Sequence, residues 1–170
     1  MSADKFRKMG IPLFEPYKDT KHKTLRTRLG EFTVESFPVP HNGCENRGFL
    51  IKTEEQTVCF LVDLEYLPYD MSSQKIDTLL VECNYISELV DDDIPNLRHK
   101  CLGHCNLDTT IGIIKNCQKY LKQVYLIHAS KGVTMDRAKA LERIRQEIPA
   151  YINVNFCHDE MTYNISLCPF

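Results

Sequence analysis

No stretch of the sequence is apolar for long enough to span a membrane, and no signal peptide opens it. Both absences bear on the eight cysteines, at positions 44, 59, 83, 101, 105, 117, 157 and 168, which are many for this length. Without export they are expected as reduced thiols in a cytoplasmic setting, with no membrane partner. Excess charge of either sign is missing as well. The formal net charge is -2 and the pI about 6.3, which gives no general attraction to nucleic acid or to an anionic bilayer. There is no internal repeat and no low-complexity tract. Compact metal motifs such as H-x-H or H-E-x-x-H are absent, so a metal site would have to be assembled from residues far apart in sequence.

What is present suits one domain: 170 residues, 43% hydrophobic and 26% charged, enough to bury a core without staples. A local basic patch, KDTKHKTLRTR at residues 18–28, reads as a solvated loop or as a phosphate-facing surface. Cys59 and Cys83 sit in strand-like runs and Cys117 in a helix-like one, where a thiol serves as a small apolar group. Cys101-Leu-Gly-His-Cys105 offers two thiols and an imidazole. A structural zinc site would need a second closely spaced pair, and Cys117, Cys157 and Cys168 do not supply one.

Periodicity and breakers divide the chain. Ser2 can cap a short helix, ADKFRKM, that Gly10 ends, and a basic connection is expected from there to about Gly30. Residues 31–39 alternate as a strand. His41-Asn42-Gly43 is a turn, and GFLIKT with TVCFLVD forms a hairpin around Glu54 to Gln56. IDTLLVECNY has the continuous apolar character of a buried strand. After acidic residues 91–93 comes a weak helical stretch. LDTTIGIIKNCQKYLKQ then places Leu107, Ile111, Ile114, Cys117 and Leu121 at helical spacing, with Asn106 or Asp108 as N-cap. VYLIH is a short strand, TMDRAKALERIRQEI an amphipathic helix stopped by Pro149, and YINVNF and TYNISL are strand-like. Strands and helices alternate in the second half, so the class is α/β, with an antiparallel section before Asp63.

Three strand-like runs end in metal-type side chains: His41 after FTVESFPVP, Asp63 after TVCFLV, and His128 after VYLI. A fourth ends in Glu82, and His104 lies in the turn that opens a helix. Right-handed β-α-β connections would bring successive strand ends to one edge of a sheet, where these five groups could converge. Four of them also have a plainer reading: a surface turn for His41, a strand cap for Asp63, and a satisfied polar pair fixing the GHCN turn for Glu82 and His104. Imidazole and carboxylate suit zinc or manganese, and a carboxylate can bridge two ions that activate water against a phosphodiester.

The order H-N, LVD, LLVECNY, GHCNLDTTIGIIKN and VYLIHAS resembles the C-terminal portion of metallo-β-lactamase-fold hydrolases, over about residues 1–155. It is most similar to the phosphodiesterase and nuclease branch that includes the tRNA 3′-processing endonucleases. The resemblance implies a partial αββα sandwich, a mixed sheet with flanking helices, spanning residues 1–170 as a single domain truncated at its N-terminal side. It implies two ions, zinc or manganese, with His41 and His128 ligating different ions and Asp63 bridging them. Glu82 would assist His104, which would protonate the leaving oxygen of a phosphodiester substrate. The family's H-x-H-x-D-H signature is absent, Leu64 replaces the usual threonine or serine after the aspartate, and Cys105 replaces the usual hydroxyl residue or methionine after the turn histidine. Three ligands shared by two ions leave each ion short of the three or four it prefers. The expectation is therefore a hydrolase incomplete or inactive as this chain alone. A non-catalytic interaction module, or half of a split enzyme, is the alternative. Either one needs a homo-oligomer or a partner chain to cover the missing half.

Overall fold

A computed structural model describes residues 22–27, 30–91, 93, 101–131 and 133–157. They form one seven-stranded sheet whose spatial order is the chain order: β1 (His22–Thr27), β2 (Gly30–His41), β3 (Cys44–Lys52), β4 (Thr57–Leu61), β5 (Thr78–Glu82), β6 (Gln123–Ile127) and β7 (Asn153–Phe156). Strands β1 to β4 pair antiparallel, and β4 to β7 pair parallel. The mixed sheet with helices matches the class read from the sequence. The expected helix at ADKFRKM, most of the stretch after residue 93, and TYNISL lie outside the described residues.

One expectation is overturned. The basic connection before Gly30 contains strand β1, with His22 opposite Glu35 and Thr27 opposite Gly30. Its charged, weakly alternating sequence carries little strand signal by itself. Pairing with the long neighbour β2 supplies the order that propensity does not.

The β2–β3 hairpin closes through Asn42 and Gly43, at φ 43° and 75°, residue types that tolerate a left-handed backbone. Thr53 and Gln56 shape the next turn through Thr53 N–H to Gln56 O at 2.9 Å. Two helices then connect parallel strands: α1 (Leu107–Cys117) between β5 and β6, and α2 (Arg137–Glu147) between β6 and β7. Asn106 caps α1, its Oδ1 accepting from Thr109 N–H at 2.8 Å. Asp136 caps α2 in the same way, accepting from Lys139 N–H at 3.0 Å.

The core follows the strand register. Leu50, Cys59, Leu79, Val124 and Val154 are successive cross-strand partners, as are Leu61, Val81, Leu126 and Phe156, and all are buried. They share one cluster with Leu107, Ile111 and Ile114 of α1 and with Ala140 and Ile144 of α2. Each fully buried aliphatic side chain contributes roughly 1.5–3 kcal/mol. Alternate residues point to the opposite face, where Phe49, Phe60 and Leu80 form a neighbouring row and are only half-buried. Among the described residues no helix is long and apolar enough to cross a membrane.

Candidate metal centre

Strands β4, β5 and β6 are adjacent and parallel, so their C-terminal ends lie at one edge of the sheet. Asp63 lies just beyond the end of β4, Glu82 ends β5, and His128 follows β6 directly. The turn that precedes α1 adds His104 from above the same edge. One donor atom from each of Asp63, Glu82, His104 and His128 lies within 4.8 Å of all the others.

Glu82 is the hub. It is fully buried, and its Oε1 accepts from His104 Nδ1–H at 2.6 Å and from His128 Nδ1–H at 3.2 Å. Its Oε2 accepts from Leu64 N–H at 3.2 Å. A buried carboxylate is tolerated only with such partners. Asp63 Oδ1 stands 3.2 Å from His128 Nδ1 and 3.6 Å from His104 Nδ1. The Glu82 carboxylate, by hydrogen bond and by charge, holds the His128 pKa above the usual imidazole value; Asp63 adds to this, and partial burial opposes it.

Burial also orders the cluster. Glu82 lies at the bottom and His104 is 12% exposed, whereas Asp63 and His128 side chains are 42% and 44% exposed. The hydrogen-bonded pair is therefore inside, and the two freely accessible donors face outward.

Four of the five residues singled out from sequence come together, and His41 stands at the margin. Its ring centroid is 5.3 Å from that of His104, and its Nδ1–H donates to Gly103 O at 2.6 Å. A carbonyl can only accept, so the proton sits on Nδ1 and the lone pair of the neutral ring on Nε2. The same logic applies to His104, whose Nδ1–H faces a carboxylate. Imidazoles oriented in this way by carbonyl or carboxylate are the usual surroundings of metal ligands.

The donor set could hold a metal ion: carboxylate oxygen and imidazole nitrogen, two of them accessible, with a buried carboxylate orienting the rings. Thiols are placed differently. Cys105 is buried and its Sγ donates to Leu64 O at 3.1 Å, while Cys101 is exposed. Burial raises the Cys105 pKa, and that of Cys83 to about 12, so both stay protonated near neutrality.

Sequence reading missed the backbone of the site. Asp63 and His128 both have φ of 54°, and Asn46 and Asn84 bond their carbonyls. Counting the hairpin register back from Lys52 could have set Asn46 opposite Asp63.

No family model and no curated protein sequence matches the chain. Solved structures do. The metallo-β-lactamase fold protein YhfI from Bacillus subtilis aligns with 91% of this chain at 17% identity and TM-score 0.58. Zn(2+)-bound PqqB from Methylobacterium extorquens aligns with 84% at 15% identity and TM-score 0.56. Human tRNase Z, short form, aligns with 79% at 21% identity and TM-score 0.54. The described chain thus has the metallo-β-lactamase fold, and one of these three neighbours is zinc-bound. It spans 59%, 53% and 42% of those three structures, respectively.

Proposed function

We propose that this chain carries one side of the divalent-metal centre of a metallo-β-lactamase-fold hydrolase acting on phosphodiesters. The observation that carries the reading is the convergence of Asp63, Glu82, His104 and His128 at the ends of three adjacent parallel strands. Asp63 and His128 would hold zinc or manganese, with His41 beside them for a neighbouring ion. Such an ion supplies Lewis acidity toward a phosphoryl oxygen and lowers the pKa of water. His104 would hand a proton from Nε2 to a leaving oxygen, with its Nδ1–H held by Glu82 so that Nε2 is the nitrogen that takes up and delivers that proton. Glu82 takes no part in the transfer beyond fixing that tautomer.

His41, Asp63 and His128 are too few for two ions, so the remaining ligands would come from a further segment or a partner chain. Two measurements test the reading. Calorimetric titration with zinc or manganese should show binding that His128→Ala abolishes; no binding, or equal binding by the variant, would refute the metal centre. Turnover of a chromogenic phosphodiester by the chain alone should be negligible, and robust turnover abolished by His128→Ala would refute incompleteness.

The half-buried row Phe49, Phe60 and Leu80 favours a second reading, an interaction module whose half-buried sheet face is covered by a second copy or a partner chain. Light scattering distinguishes it: a monomer at high concentration argues against self-association.

A further inference from the structure

Asp63 and His128 share a backbone conformation that a strand end does not require. Both have φ of 54°, in the left-handed region, where a non-glycine residue is strained unless its surroundings hold it there. Both also have their own carbonyl oxygen bonded by an asparagine carboxamide, from within β3 for Asp63 and from just beyond the end of β5 for His128. Asn46 Nδ2 donates to Asp63 O and, at 2.8 Å, to Val62 O. Asn84 Nδ2 donates to His128 O at 3.0 Å.

The register explains the match. Phe49 opposite Phe60 is the last β3–β4 pair on the side of the cluster, and three more steps along each strand set Asn46 against Asp63. The backbone ladder has stopped there, and a side chain takes up carbonyls that the next strand would otherwise bond. On the other flank Glu82 opposite Ile127 is the last β5–β6 pair. Two residues on, Asn84 bonds His128 O through its side chain, and its own carbonyl accepts from Ser130 N–H at 2.9 Å.

We propose that Asn46 and Asn84 are paired positioning residues, each holding one outward-facing donor of the cluster in the left-handed turn that brings it to the shared edge. The clamps are a matter of backbone geometry; only their effect on metal affinity rests on the metal-centre reading.

The test uses Asn46→Ala and Asn84→Ala with two readouts. In metal-free protein, three-bond H–N–Cα–H couplings and Cα shifts report φ. Asn46→Ala should release Asp63 from the left-handed region and leave His128 in it, and Asn84→Ala the reverse, so each variant is the folding control for the other. Unchanged φ at the matched residue would overturn the proposal whether or not metal binds. In the second readout, zinc affinity should fall about 10- to 100-fold in Asn46→Ala, as for other residues that orient ligands. No further fall should occur when Asn46→Ala is added to Asp63→Ala, because no donor is left to position. An equal fall in both backgrounds would make Asn46 merely structural and overturn the assignment. If φ responds as expected but the unaltered protein binds no zinc, the metal reading fails and the clamps stand.

Discussion

Replacing Glu82 by glutamine keeps the shape of the side chain and removes its charge at a fully buried position. Oε1 accepts from two imidazole N–H groups and Oε2 from the Leu64 amide. A carboxamide has one oxygen, so its NH2 must face donors on one side. Turning the oxygen toward the rings is the cheaper choice, since it sacrifices only the Leu64 bond. A buried backbone donor left unpaired costs about 1–3 kcal/mol, and a charge-assisted bond that becomes neutral loses about half of its 1.5–3 kcal/mol. Together these give a loss of about 3 kcal/mol for Glu82→Gln. Urea unfolding of the metal-free variant measures it. With a slope of roughly 2 kcal/mol per molar, the midpoint should fall by about 1.5 M at unchanged slope. A variant within about 0.5 kcal/mol of the unaltered protein would show that the hydrogen bonds around Glu82 do not hold the site together.

Two further outcomes follow from the same geometry. The His128 pKa is raised in the folded protein, so its stabilising contribution is complete below about pH 6.5, the ordinary imidazole value, and is lost as pH rises through the folded-state value. Urea midpoints of metal-free protein from acid to mildly alkaline pH should show that decline, and Glu82→Gln should flatten it; a parallel decline in the variant would refute the cause assigned here. Gly48→Ala would place a Cβ 2.7 Å from Leu61 Cδ2 and equally close to the Phe37 ring. Overpacking of about 1–3 kcal/mol should lower the thermal midpoint by several degrees, and an unchanged midpoint would refute it.

The strands after residue 30 and both helices were legible because burial on one or both faces leaves apolar runs that periodicity detects, as in TLLVE and QVYLI. The site was legible in part for a related reason: Asp63, Glu82 and His128 end apolar runs, where a polar side chain is conspicuous. Strand β1 was not, since HKTLRT gains its order from β2 and not from its own composition. Asn46 and Asn84 were equally silent, because their work depends on where two ladders stop. The burial gradient from Glu82 to Asp63 could not be read either, for it depends on how deeply the turn before α1 seats His104.

The sheet's strand order, identical to its order in the chain, bears on how the molecule is made. Each described strand leaving the ribosome finds its pairing edge already formed, and among the described residues no strand must wait for a later one to be inserted between its neighbours. Contacts of short sequence separation favour fast folding, and synthesis from the N-terminus adds direction to it. The donors from Asp63 to His128 occupy one uninterrupted block of that sequence. The cluster can therefore take shape on the nascent chain as soon as β6 has docked, with α2 and β7 still to be translated.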